Sequence, residues 1–136
     1  MESFIGHIQT VKDALLLFEA VRSNNLKCIE RRLNVAERNN IKSGATFIFD
    51  EQQSGLQRWT DGYSWSTSRV KGHFLVYEQK NQMDPLFKKT ISVVTRDNKK
   101  YCLVNYYYGR DLDSNCLVTP KDLQRFQSYS IPAGFY

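Results

Sequence analysis

A chain of 136 residues is long enough for one domain, or for two small lobes that share a core. A net charge of +5 favours a polyanionic partner, while three cysteines, odd in number and without CxxC spacing, argue against a disulfide framework or a zinc site. No apolar run approaches the length of a membrane span, so no membrane partner is expected, and an aromatic share of 13% assigns much of the packing to rings.

Phe4 to Gln9 reads as a short strand. Thr10 then caps a helix, with Asp13 completing a capping-box variant, and Ala14, Leu15, Phe18 and Val21 form one apolar face. Leu26 to Leu33 mixes apolar residues with Lys27, Arg31 and Arg32, and reads as a strand or turn with its basic residues outward. Asn34 caps a second helix, Glu37 again completes the box, and Gly44 supplies the stop. Arg38 and Lys42 lie four apart on that helix, either as a solvated face or as a face toward phosphate.

Ala45 to Asp50 is a strand by its β-branched and aromatic content, and Glu51 to Ser54 a polar turn. The stretch from Ser54 to Gly72, SGLQRWTDGYSWSTSRVKG, is the centre of the functional reading. Asp61-Gly62 marks a turn, because glycine takes φ > 0 at little steric cost. Trp59 and Trp65 stand on either side of it. Arg58, Arg69 and Lys71 are opposed only by Asp61, and Thr60, Ser64, Ser66, Thr67 and Ser68 add hydroxyls. A loop pinned by tryptophans and bearing these groups suits phosphate and groove contacts on nucleic acid. The other reading is a structural loop whose tryptophans plug two sub-cores.

His73 to Glu78 is another strand. Lys80 to Pro85 is linker-like, and divides an N-terminal lobe of about 1–80 from a C-terminal lobe of about 86–136 within a single domain. Phe87 to Arg96 and Lys100 to Tyr108 flank Asp97-Asn98 as a β-hairpin. In the second arm Tyr101, Leu103, Asn105 and Tyr107 point one way and Cys102, Val104, Tyr106 and Tyr108 the other, so bulk on both faces makes that strand central. Gly109 to Asn115 is a turn-rich loop, Thr119-Pro120 starts a short helix, and Ser130 to Tyr136 packs as an irregular arm. The sum is an α+β fold of two interlocked lobes sharing mainly antiparallel β-structure, with two or three short helices.

Enzyme chemistry finds no purchase in these residues. His7 and His73 have no metal-ligand partners at a suggestive spacing, and there is no Walker loop, GxGxxG or GxSxG. The expectation is a protein without catalytic activity, cofactor or small-molecule substrate. Zinc-finger spacing, an RNP motif and a basic zipper are also missing.

The run SGATFIFDEQQSGLQRWTDGYSWSTSRVKGHFLVYEQ resembles the WOPR family of fungal transcription regulators. The resemblance is carried by Arg58-Trp59-Thr60-Asp61-Gly62, Trp65-Ser66, Ser68-Arg69, Gly72 and Phe74-Leu75-Val76-Tyr77. Gly6, Thr10, Asp13-Ala14, Arg32-Leu33 and Ser43-Gly44 fit upstream. Lys88-Lys89-Thr90 and Tyr106-Tyr107 fit downstream, so the similarity covers nearly the whole chain. It implies a nuclear, sequence-specific binder of A/T-rich double-stranded DNA, built from two interdigitating lobes, with other transcription regulators as further partners. The arginine aligned with Arg58 is the one expected in the minor groove, where A·T tracts deepen the negative potential. Trp59 would wall in its guanidinium, or else simply pack in the core. The implied DNA-binding set is Arg58, Trp59, Thr60, Ser66, Ser68, Arg69, Lys71, Lys88, Lys89, Arg38 and Lys42. Lys88 and Lys89 are strand neighbours that point to opposite faces, so at most one of the two is expected to reach DNA. Thr67 stands where many members carry proline, which leaves the loop's shape open. Two other classes compete: a protein-interaction module using the tryptophan-rich loop, and an RNA or single-strand binder stacking bases on tyrosines.

Overall fold

In the computed structural model, which describes residues 1–136, the two-faced strand is the middle of the molecule. The strands are β1 (Phe4–Ile5), β2 (Ala45–Asp50), β3 (Arg69–Lys71), β4 (Phe74–Glu78), β5 (Leu86–Val94) and β6 (Lys100–Tyr108). They form one antiparallel sheet in the order β1-β2-β6-β5-β4-β3. The helices are α1 (Val11–Arg22), α2 (Val35–Arg38), α3 (Glu51–Ser54), α4 (Gly109–Asp113) and α5 (Gln124–Gln127), with a 3-10 turn at Pro120–Asp122. The expected α+β class holds. The helices outnumber the two or three expected because several are single turns, some of them closed by a side chain. In α3, for example, the Asp50 carboxylate accepts from the amides of Gln52 and Gln53.

The β5–β6 hairpin of the second half is wedged between two pairs of strands from the first half, β1-β2 and β4-β3. Lys80 to Pro85 only turns β4 into its neighbour β5. The Gln79 amide donates to the Leu86 carbonyl at 2.9 Å, and Asp84 ion-pairs with Arg110 of α4. Ile48, Ile91, Tyr101 and Leu103 point to one face, where α1 supplies Leu17 and Phe18. Phe47, Phe49, Val104 and Tyr106 point to the other, where Leu56, Trp59, Tyr63 and Trp65 cover them. The alternation read from Tyr101 to Tyr108 thus separates two cores.

α1 begins at the capping box of Thr10 and Asp13 as expected. α2 also begins as expected, at Asn34 with Glu37, but it ends after one turn at Asn39 and not at Gly44. Val35 is 68% exposed and none of its residues is buried, so no apolar stripe extends the helix past its cap. Leu26 to Leu33 forms no strand. It touches the sheet through the Ile29 amide, which donates to the Ile48 carbonyl at 2.8 Å. Gly44 instead opens β2 at φ +91°, where a Cβ would lie 2.9 Å from Leu117 and 3.3 Å from the Gly6 nitrogen.

Candidate nucleic-acid interface

The loop between α3 and β3 is held by a buried polar chain that links its two tryptophans. Trp59 stacks on Phe49 (centroids 5.5 Å apart, planes at 13°) and leans on Phe47. Its indole Nε1 donates to the Tyr106 hydroxyl at 2.6 Å, which donates in turn to Asp61 Oδ2 at 2.7 Å. Trp65 Nε1 donates to both oxygens of the same carboxylate, at 3.0 and 3.2 Å, and the Tyr63 amide to Oδ1 at 3.1 Å. Lys88 Nζ lies 3.5 Å from Oδ2. Asp61 is 5% exposed and Tyr106 not exposed at all, so these bonds replace the water both groups would otherwise keep. Burial and the neighbouring Asp61 push the Tyr106 phenol far above its usual range, which keeps it a donor.

Asp61-Gly62 forms the turn its sequence implies, with Gly62 at φ +83°. The turn leans on α2: the Tyr63 hydroxyl donates to the Arg38 carbonyl at 3.3 Å, and Gly62 faces the Arg38 Cδ. Arg38 is half-buried, and its Nε donates to the Leu33 carbonyl, while Lys42 is exposed beyond the helix. Arg58 and Thr60 stand out into solvent on either side of the anchored Trp59. No carboxylate of the chain pairs with Arg58; the one nearest in sequence, Asp61, is turned inward.

After Trp65 the chain runs along β4. Trp65 bridges to Gln79, the Ser66 amide donates to the Glu78 carbonyl at 2.8 Å, and the Ser66 Oγ accepts from the Glu78 amide at 3.0 Å. Trp65 pairs with Gln79 and Arg69 with Val76, so one more residue lies on this edge than on β4 opposite, which is a β-bulge. Thr67 lies within it. An edge bulge is a place where a strand tolerates proline. Ser66 is thereby used inside the chain and Ser68 is half-buried, while Arg69 and Lys71 are exposed on β3, the outer edge of the sheet.

The lysine pair departs from expectation. Lys88 points to the tryptophan face, where its ammonium lies over Trp65 (4.6 Å) and Tyr77 (4.8 Å), with 12% of the side chain exposed. Lys89 points to the opposite face, is 4% exposed, and donates to the Ile8 carbonyl at 3.0 Å. Neither presents its ammonium outward, although both stand among the candidate DNA contacts. Each has a partner that holds it down: a buried carboxylate for Lys88, and a carbonyl with two aromatic rings, Phe74 and Tyr107, for Lys89. The strand register also sets Arg69 and Lys71 on the Lys89 face and the Trp59 loop on the other. The eleven candidate residues are therefore not one patch. Arg38, Arg58 and Thr60 lie by the turn, Arg69 and Lys71 on the edge strand that follows, and Lys88 and Lys89 beneath. Sequence reading missed Tyr106 and Asp61 as the anchor. The available signal was that a buried tyrosine hydroxyl needs a partner, but nothing local says which.

Fold and site together define a single-sheet α+β domain that carries an exposed cationic loop on a buried tyrosine–aspartate anchor. The chain belongs to the Gti1/Pac2 family, whose model matches residues 3–85, more than half of the sequence. It is 56% identical over 78 residues to gluconate transport inducer 1 of Schizosaccharomyces pombe, covering 57% of this chain and 11% of that protein. It is 42% identical over 96 residues to the global transcription regulator sge1 of Verticillium dahliae, covering 70% and 18%. The chain thus spans less than a fifth of either relative. Among solved structures, the WOPR domain of Wor1 from Candida albicans in complex with a 13-base-pair double-stranded DNA superposes with a TM-score of 0.91. The two share 34% identity over 98% of this chain and 93% of that one. The WOPR resemblance is borne out.

Proposed function

We propose that this domain binds double-stranded DNA as the DNA-reading part of a nuclear fungal transcription regulator. Arg58 enters an A/T-rich minor groove, with Thr60, Arg38 and Lys42 as phosphate or groove contacts beside the turn, and Arg69 and Lys71 as separate contacts from the edge strand β3. The observation that carries the reading is the state of Arg58: exposed, unpaired, and adjacent to a tryptophan that is itself bonded into the core. A guanidinium held out by a rigid loop keeps its donors for a ligand, and it sheds water more readily than an ammonium. The likeness to a WOPR domain solved on duplex DNA supports the partner class. Single-strand stacking is less favoured, since Tyr101, Tyr106 and Tyr107 are buried. One named relative is a transport inducer and the other a global transcription regulator, in keeping with a non-enzymatic role.

The test is a titration of A/T-rich duplex, G/C-rich duplex and single strand at one salt concentration. Arg58→Ala is expected to weaken the A/T-rich duplex by about 1–3 kcal/mol and leave the melting temperature unchanged. Arg58→Lys should recover only part of that loss. Replacing the contacted A·T step by G·C should hurt the parent far more than Arg58→Ala, because the guanine amino group occupies the groove floor. Additive losses, with no coupling between Arg58 and the base step, would remove Arg58 from the groove. Preference for the single strand would move the protein to another class.

A further inference from the structure

The buried anchor has more charge and more directed bonds than a loop needs merely to close. One carboxylate, Asp61, receives the Tyr106 hydroxyl, the Trp65 indole, the Tyr63 amide and the Lys88 ammonium. Tyr106 in turn receives the Trp59 indole. Both tryptophans that flank the turn are therefore tied to one acid, and Arg58 is covalently next to the first of them. Apolar packing of Trp59 on Phe47 and Phe49 sets the ring's depth, but dispersion is weakly directional; the bond from Nε1 sets its rotation. That rotation fixes the backbone from which Arg58 departs. A polar cluster with every member satisfied specifies one geometry more sharply than an apolar plug of the same volume.

Resting on the minor-groove reading of Arg58, we propose that Tyr106, Asp61 and Lys88 are positioning residues for base-step discrimination. They act from inside the sheet through the two tryptophans, and Lys88 contributes as the counter-charge of Asp61 without touching phosphate. The cluster lies on the β5–β6 hairpin and on the loop, two segments distant in sequence, so a rigid sheet carries the setting of the reading side chain.

The experiment compares the parent, Arg58→Ala, Tyr106→Phe, Lys88→Met and the double variant Arg58→Ala/Tyr106→Phe. Each is measured on A/T-rich and G/C-rich duplexes over a range of salt, with a thermal melt for each protein. Tyr106→Phe keeps the ring and removes only the hydroxyl that joins Trp59 to Asp61. It is expected to lower the A/T-to-G/C preference about tenfold, toward that of Arg58→Ala, while G/C-rich affinity barely changes. The double variant should lose little more than Arg58→Ala alone. Lys88→Met should also lower the preference, yet leave the slope of log K against log salt unaltered, where a lost phosphate contact would reduce it by about 0.9. If Tyr106→Phe and Lys88→Met melt lower but discriminate like the parent, or if the losses multiply in the double variant, the anchor is only structural and the proposal falls. A reduced salt slope for Lys88→Met overturns its assigned role. If Tyr106→Phe does not fold, Lys88→Met decides by the same criteria. Unchanged discrimination in Arg58→Ala is the separate result that defeats the minor-groove reading, and this inference with it.

Discussion

Lys89 carries a charge that the fold takes out of water. Burial, and then repulsion from Lys71, lower its pKa to about 8, with Asp13 opposing the shift. Its single protein hydrogen bond goes to the Ile8 carbonyl, and Phe74 and Tyr107 offer their ring faces. The ordinary lysine value is 10.5, so the folded state binds the proton less tightly than the unfolded chain. The resulting penalty is complete below about pH 8, on the order of 3 kcal/mol, and disappears as pH rises toward 10.5. Stability contributed by this group therefore increases with pH across that window. Buried tyrosines such as Tyr106 and Tyr107, whose pKa values are raised, act in the opposite sense above about pH 10. The difference between the parent and Lys89→Met in urea unfolding isolates the lysine: it should change by 1–3 kcal/mol, roughly, between pH 8 and 10. Parallel profiles would mean that Lys89 titrates normally.

At the scale of the element, α1 shows how one acid joins distant parts of the chain. Asp13 is fully buried, and its Oδ2 accepts from the amides of Gln9 and Thr10 and from the Thr10 hydroxyl, while Oδ1 accepts from the Lys121 amide at 2.9 Å. The helix N-terminus thus holds the 3-10 turn that leads to α5, with Phe126 edge-on to Phe4. Asp13→Ala leaves several buried amides without an acceptor and is expected to cost about 2–4 kcal/mol in chemical denaturation, more than an exposed cap. Asp13→Asn keeps an acceptor oxygen and should cost less. Equal losses would assign the effect to charge alone. The edge formed by Ser66 to Lys71 follows similar logic: the bulge, short length and two cations keep it from pairing with another sheet.

For the molecule as a whole, β6 lies between β2 and β5, and each half leaves bare a strand edge that the other covers. Fragment 1–80 would contain β1-β2 and β3-β4 with nothing between them, and fragment 86–136 would contain one hairpin whose two faces both expect a core. We expect neither to melt cooperatively when expressed alone, and mixing the two to restore a cooperative transition. A sharp melt from either fragment would make the lobes independent units. Within the intact chain, the anchor at Tyr106 belongs to the second half and the loop it holds to the first, so DNA affinity should return only with both fragments present.

What the sequence determined by itself is what depends on near neighbours. The two capping boxes, the Asp61-Gly62 turn, β2 from Ala45 to Asp50 and the alternation of β6 all arise from residues a few positions apart, and each is present as read. The exposed Arg58 was also legible, since it sits beside a turn in a polar loop. The tertiary structure alone decided where Lys88 and Lys89 point, because lysine on an alternating strand reads as outward and only the buried Asp61 and the Ile8 carbonyl turn these two in. It alone joined Tyr106 to Asp61, 45 positions apart, and set β6 between strands of the first half. Local sequence encodes backbone preference through steric and hydrogen-bond terms of a residue or two. Which distant groups meet is settled by how two apolar faces of one strand are both covered at once.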